Sequence, residues 1–345
     1  MRNFKKILVT GGCGFIGSNF IENILCNNFL EIEGGLSLFN LDKLTYAGDL
    51  KNTRNFENDE RYEFIEGDIC DENLVLKILS EHSIDLIVNF AAESHVDNSI
   101  EAPEDFINTN ILGTYNLLKC SEVIRRKFKR NIIFIHISTD EVYGSLKKDD
   151  SSFSEMNQFK PNSPYSASKA SSDHLVRAWN KTYNLNTIIT NCSNNYGPNQ
   201  NVEKLIPKII FNAINLKPIT IYGNGLNIRD WLYVDDHCSA ICKVINHGDF
   251  GETYNIGGLN EITNLSIAET ICSILEEYLP IGKQRNQNQI SSYEDLITFV
   301  KDRPGHDFRY SIDSKKIQTK LNWSPKENFD SGIRKTLKWY IKKFT

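Results

Sequence analysis

Five side chains near the middle of the chain combine types and spacings that could move protons. Residues 132–144 begin as an apolar, largely β-branched run and end in Thr139, Asp140 and Glu141. That is the pattern of a buried parallel strand delivering a hydroxyl and two adjacent carboxyl groups to its carboxyl edge, where open α/β sheets bind ligands. Tyr165 and Lys169 follow, four apart and so on one face of a helix that Pro164 is placed to open. An ammonium beside a phenol favours the phenolate and lowers the phenol's pKa toward working pH. A phenolate so tuned can take the proton of an alcohol while hydride leaves the same carbon. Alone, a Tyr-x-x-x-Lys spacing is common by chance, and an adjacent acid pair is most simply a helix N-cap or a solvated loop edge. What precedes them gives the pattern its weight.

The elements before this cluster read as a cofactor platform. Lys6–Thr10 is a short apolar strand that runs into Gly11, Gly12, Gly14, Phe15, Ile16 and Gly17, then a helical pattern over 18–26. Gly12, Gly14 and Gly17 fit the dinucleotide fingerprint G-x-G-x-x-G, in which glycines make the tight turn and admit a pyrophosphate to the backbone. The second strand, 36–41, ends in Asp42. A carboxylate there binds ribose hydroxyls and repels a 2′-phosphate, so NAD is expected rather than NADP. The third strand, 62–69, carries Asp68 near its end, suited to an adenine amino group or, more plainly, to capping the helix that starts near Glu72. The fourth, 86–92, ends in the small pair Ala91 and Ala92, followed by a polar loop in which His95 is more simply structural than catalytic. A long helix is expected over 109–119. Strands and helices alternating from 6 to 143 predict a doubly wound, parallel Rossmann sheet of the α/β class.

After residue 196 the pattern loosens. We expect a Rossmann domain over 1–196 holding the catalytic residues, and a smaller mixed α/β lobe over 197–345, with some segments returning to the sheet. A polar stretch lies within 281–300, and an amphipathic helix is expected over 331–343. The 345 residues, 40% hydrophobic and 24% charged with a net charge of −5, are an ordinary globular composition without a basic footprint for nucleic acid. No apolar run is long enough to span a membrane, and the first residues leave no room for a signal peptide's apolar core. Eight cysteines are scattered without CxxC pairs. Cys238 and Cys242, beside His237, read as packing thiols rather than a metal site, and no metal is expected. Reduced thiols fit a cytoplasmic setting.

With these motifs placed, the chain resembles the extended short-chain dehydrogenase/reductase family. Within that family it resembles the dTDP-glucose 4,6-dehydratases, through Asp42 to Gly48, Ala91 to Asp97, Ser138 to Gly144, Arg229 to Val234 and Asp302 to Asp307. The adjacent Asp140 and Glu141 discriminate most, because related nucleotide-sugar epimerases lack the pair. The resemblance implies that Tyr165 acts in oxidation of sugar carbon 4, with Thr139 holding that oxygen. It implies that Glu141 removes the carbon-5 proton and that a protonated Asp140 serves the leaving hydroxyl on carbon 6. Two adjacent acids can be split this way, since charging one raises the pKa of the other and burial adds to it.

By the same resemblance, NAD contacts are expected from Gly11, Gly14, Phe15, Ile16, Gly17, Asp42, Lys43, Leu44, Thr45, Asp68, Ile69, Ala91, Ala92, Thr109, Tyr165, Lys169 and Asn195. Contacts to the dTDP-glucose substrate are expected from Ser94, Thr139, Asn194, Lys204, Leu205, Tyr222, Arg229, Asn264, Arg303 and His306. A diphosphate suits arginine in particular. The family further implies a homodimer built on a four-helix bundle, for which 109–119 and 168–181 are candidates. The product would feed rhamnose or another deoxysugar. Competing readings are a nucleotide-sugar 4-epimerase or decarboxylase of the same fold, or a non-catalytic NAD-binding regulator; the last is disfavoured by the intact Tyr165 and Lys169.

Overall fold

The computed structural model describes Arg2 and residues 4–30, 32, 34–283, 290–302 and 306–345. In chain order the first half holds β1 (Lys6–Thr10), α1 (Phe15–Leu25), β2 (Ser37–Asp42), β3 (Tyr62–Glu66), α2 (Glu72–Glu81), β4 (Leu86–Asn89), α3 (Val96–Glu101), α4 (Pro103–Phe106), α5 (Thr114–Phe128), β5 (Ile133–Thr139), α6 (Pro164–Tyr183), β6 (Asn186–Cys192) and β7 (Asn194–Tyr196). The second half holds α7 (Leu205–Ile214), β8 (Ile219–Tyr222), β9 (Ile228–Tyr233), α8 (Val234–His247), β10 (Thr253–Ile256), β11 (Glu261–Thr263), α9 (Asn264–Tyr278), β12 (Ile297–Val300), α10 (Lys315–Leu321) and α11 (Phe329–Phe344).

Seven parallel strands form the central sheet in the order β10-β6-β5-β4-β1-β2-β3. The order reverses between β1 and β4, which opens a crevice at their carboxyl ends. The strands are apolar on both faces because both are covered. Ile7, Val9, Val88 and Ile135 pack toward α1 and α8. Their neighbours in sequence, Leu8, Ile87 and Phe134, pack toward α2, α5 and α6, as the two-residue repeat of a strand requires. A second core joins α7, α9 and α11 to the small sheets β11-β9-β7 and β12-β8. Residues 234–256 leave this lobe and rejoin the large sheet through α8 and β10, and Ile317, Leu321 and Trp323 also enter its core.

Several local boundaries differ from the sequence expectation. β3 stops at Glu66 and β4 at Asn89, so Asp68, Ile69, Ala91 and Ala92 lie in the loops that line the crevice rather than in strands. Asp71, not Asp68, caps α2 by accepting from the Leu74 amide. The helix expected over 109–119 is π-wound from Ile107 to Gly113 before it turns regular. Close packing accounts for the glycine there: a Cβ on Gly113 would lie 2.4 Å from the Ile69 side chain. The polar stretch within 281–300 falls partly outside the described residues; its described end forms a short turn over Tyr293–Leu296 and then β12. No described helix is long and apolar enough to cross a membrane.

Candidate active site

One cleft follows the carboxyl edge of the sheet from Asp42 and Asp68 to Tyr165 and Lys169. Its near end fits a dinucleotide. Gly11 has φ +72°, and a Cβ there would lie 2.7 Å from the Ala91 amide nitrogen. A Cβ on Gly17 would lie 2.3 Å from the Gly11 carbonyl oxygen. The two glycines therefore let backbone pack on backbone, and the α1 N-terminus comes to the cleft, where Gly14 supplies no side-chain cap. Asp42 at the end of β2 accepts from the Cys13 and Leu44 amides, both at 2.8 Å. Burial raises its pKa, and those two amides oppose the shift. Its oxygens retain lone pairs for ribose hydroxyls. Asp68 pairs with Lys43 at 2.7 Å. Burial alone would raise its pKa, but that ammonium and the Cys70 amide hold it below the ordinary value.

The proton-moving groups converge at the far end. Thr139 ends β5; its hydroxyl faces Asp140 at 3.3 Å and accepts from the Glu141 amide at 3.3 Å. It also pairs with the Tyr165 hydroxyl. The chain then tightens into a 3₁₀ turn over Asp140–Tyr143, which sends two consecutive acids in different directions. Glu141 lines the cleft. Asp140 is 2% exposed, and its Oδ2 has no hydrogen-bond partner. Burial, then the charges of Glu141 and Asp230, push its pKa well above the carboxylate range, against a weaker pull from Arg229. Its environment thus favours the neutral, protonated form.

Tyr165 and Lys169 lie on α6, which starts at Pro164 behind a reciprocal Ser163–Ser166 capping box. Here the structure qualifies the sequence argument. The Lys169 ammonium donates to the Ile137 carbonyl at 2.7 Å. The Tyr165 residue is only partly buried, but its hydroxyl lies deep. Burial and then Glu141 push the phenol well above its ordinary value, opposed by Thr139. The lysine's ammonium is thus hydrogen-bonded to the backbone rather than to the phenol.

The remaining expected contacts divide by place. Phe15, Ile16, Thr45, Ile69, Ala91, Ala92, Thr109 and Asn195 line the cleft with the residues above, while Leu44 meets Asp42 through its amide. Ser94, Asn194 and Lys204 also line it, and Lys204 donates to the Ser94 carbonyl at 2.9 Å. Leu205 opens α7, Asn264 opens α9 and Tyr222 ends β8, all in the lobe. The Asn264 Oδ1 is buried and without a hydrogen-bond partner. His306 pairs with Asp302 at 2.6 Å and meets the Tyr222 ring edge-on. Arg229 is 5% exposed, stacks over Tyr310 and donates to the backbone carbonyls of Ile228, Asp307 and Phe308. Much of its fork thus braces the chain beside Asp140. Arg303 lies outside the described residues. His95 caps α3 through its ring nitrogen, and Cys238, Cys242 and His237 are buried on α8.

The sequence reading gave no role to Asp230, which raises the Asp140 pKa, to Tyr310 under Arg229, or to the buried pair His136 and Asp173. Only Asp173 carried a local signal, as the next four-residue step after Tyr165 and Lys169.

A doubly wound sheet with a glycine-rich crevice, a Tyr-x-x-x-Lys helix and a covering lobe defines a dinucleotide-binding enzyme of the extended short-chain dehydrogenase/reductase class. The family model described as GDP-mannose 4,6 dehydratase matches residues 8–336. A dTDP-glucose 4,6-dehydratase of Neisseria gonorrhoeae is 50% identical over 98% of this chain and 96% of its own. The dTDP-glucose 4,6-dehydratase 1 of Escherichia coli K12 is 50% identical over 97% and 92%. The solved dTDP-glucose 4,6-dehydratase of Streptomyces venezuelae, with NAD bound, is 40% identical with TM-score 0.86, covering 98% of this chain and 97% of that one. The UDP-glucose 4-epimerase of Thermotoga maritima shares the fold at TM-score 0.84 and 26% identity, over 99% and 100%. This chain belongs to the dTDP-glucose 4,6-dehydratase family.

Proposed function

We propose that the protein is a hydro-lyase that converts dTDP-glucose to dTDP-4-keto-6-deoxyglucose, with NAD regenerated in each turnover. The observation that carries this reading is Asp140 buried behind Glu141, which lines the cleft with Tyr165, in surroundings that raise the Asp140 pKa. Epimerisation at carbon 4 needs no such acid. Gly11–Gly17, Asp42, Asp68 and Asn195 would hold NAD, which would supply a hydride acceptor at carbon 4 and a hydride donor at carbon 6.

The chain's own groups do the rest. Tyr165 takes the proton of the carbon-4 hydroxyl, and Thr139 holds that oxygen. The ketone acidifies the carbon-5 hydrogen, which Glu141 removes as a proton. Asp140 gives its proton to the carbon-6 hydroxyl, which leaves as water. The Glu141 proton exchanges with solvent, and Glu141 then protonates carbon 5 as carbon 6 is reduced. Each cycle leaves Tyr165 one proton richer and Asp140 one poorer, so the site resets by passing a single proton between them. We assign cofactor binding and catalysis mainly to 1–196 and nucleotide recognition mainly to 197–345, with Ser94, Asn194, Lys204, Leu205, Tyr222, Arg229, Asn264, Arg303 and His306 toward the sugar nucleotide.

Incubation with dTDP-glucose tests this: a 4-keto-6-deoxy sugar should appear without net reduced nicotinamide, carrying one solvent deuterium at carbon 5 when run in heavy water. No keto sugar from any nucleotide hexose would overturn it, and turnover without deuterium at carbon 5 would favour an epimerase. We further infer a homodimer through α5 and α6. The half-exposed Ile107, Leu112 and Tyr115, the last edge-on to Trp179, support this. We also infer a cytoplasmic setting: the eight cysteines stand as unpaired thiols, six of them buried.

A further inference from the structure

A polar row crosses the middle of an otherwise apolar sheet. Thr10 on β1, Asn89 on β4 and His136 on β5 are successive register partners, and all three are 0–1% exposed. Burying such groups costs free energy unless each is satisfied, and here each hands on to the next. Thr10 Oγ1 donates to Asn89 Oδ1 at 2.6 Å. The Asn89 amide nitrogen therefore faces Thr114 Oγ1 at 3.3 Å and His136 Nδ1 at 3.2 Å. His136 Nδ1 must then accept, which assigns the ring proton to Nε2. That nitrogen lies 3.5 Å from Asp173 Oδ1, and neither atom has a hydrogen-bond partner among the described residues. The other oxygen, Asp173 Oδ2, accepts from Ser138 Oγ at 3.0 Å and from Asn191 Nδ2 at 3.1 Å. Asn191 Nδ2 also donates to the Thr139 carbonyl at 3.1 Å.

We infer that Asp173 is a positioning residue for the first proton transfer: held by Ser138 and Asn191, its carboxylate is the buried counter-charge that keeps Lys169 a cation at the Tyr165 end of the cleft. Tyr165, Lys169 and Asp173 stand at successive four-residue steps on α6, so the acid lies one turn behind the ammonium. Lys169 is 3% exposed, and its ammonium donates to the Ile137 carbonyl, a neutral group. An ammonium so buried needs an opposite charge. Burial lowers its pKa, and Asp173 is the larger of the two influences that raise it. The charged and titratable groups around Asp173 are His136 from β5, Lys169 and Arg177 from α6, and Tyr143 from the turn after β5. Burial and then Lys169 hold His136 well below its ordinary value, so the histidine is neutral and Lys169 the nearby cation that matters. Burial raises the Asp173 carboxyl to about 6, with Lys169 opposing. As pH falls through that value the carboxylate is lost, and with it the partner of Lys169.

This inference rests on the reading that Tyr165 takes the carbon-4 proton. Tyr165→Phe tests that reading alone, since it should abolish the first hydride transfer at every pH. Asp173→Asn keeps the shape and removes the charge. We expect its first hydride transfer, followed by reduced-nicotinamide absorbance in a single turnover, to fall about tenfold or more at neutral pH and to recover as pH rises. The acidic limb should move upward by about one pH unit, while KM for the sugar nucleotide changes less than about threefold. A limb that stays in place, or moves to lower pH as it would if Lys169 kept its charge unaided, would overturn the inference even if the variant were slow. Should Asp173→Asn fail to fold, Ser138→Ala removes one of the two donors on Oδ2. It should move the same limb in the same direction by less, and an unmoved limb would again overturn the inference.

Discussion

Three side chains divide the proposed chemistry, and their environments divide it for them. Glu141 lines the cleft, whereas Asp140 is sealed behind it, where burial raises its pKa. Glu141→Gln should still oxidise carbon 4 but stall before elimination, so reduced nicotinamide should accumulate on the enzyme when substrate is mixed in. Asp140→Asn should slow loss of the carbon-6 hydroxyl by ~10²–10⁴-fold while leaving the first hydride transfer closer to normal, the range typical of a lost general acid. Asp140 also makes a stability prediction. Its folded pKa is raised, so its contribution is most favourable below the unfolded carboxyl pKa and is lost as pH rises toward the folded value. Asp140→Asn removes that loss. The variant should melt at or above the wild-type temperature, with the gap widening as pH rises above the ordinary carboxylate range, in melts recorded across pH. A gap that closes with rising pH would mean that the carboxyl is ionised in the folded protein.

At the scale of elements, the catalytic cluster is a meeting of two ends: the carboxyl end of β5 and the capped beginning of α6. The crevice depends likewise on how closely α1 approaches β1. A Cβ at Gly17 meets backbone rather than a side chain that could swing aside, so Gly17→Ala must move the helix from the loop that holds the pyrophosphate. We expect NAD affinity to fall at least about tenfold, roughly 1.4 kcal/mol, with far-ultraviolet circular dichroism unchanged; calorimetric titration with NAD measures it. Such an element was legible because glycine spacing, strand and helix are all local. The π-wound stretch Ile107–Gly113 was not legible, because it answers to Ile69 on another element.

In the whole molecule, the first 196 residues lack part of their own core. β10 completes the sheet beside β6, and α8 with Trp323 closes one of its faces. A fragment ending at residue 196 should therefore expose a large apolar surface and fail to give a cooperative melt, while the full chain should unfold in one transition. A fragment that melts sharply would show the two parts to be independent. The proposed dimer is tested at the same scale: Tyr115→Glu should shift the sedimenting species toward monomer if α5 forms that interface.

The chain's local order determined the class of this protein. Alternating strand and helix, the glycine turn, Asp42 and the Tyr165–Lys169 spacing are short-range patterns, and each constrains its own few residues. Tertiary structure decided that Asp140, of the two adjacent acids, is the buried one whose pKa is raised, because burial and the charge of Asp230 come from segments some ninety residues away. It also decided that the cation beside Tyr165 is held by Asp173 from behind, since desolvation and charge pairing are properties of surroundings that no neighbour in sequence supplies.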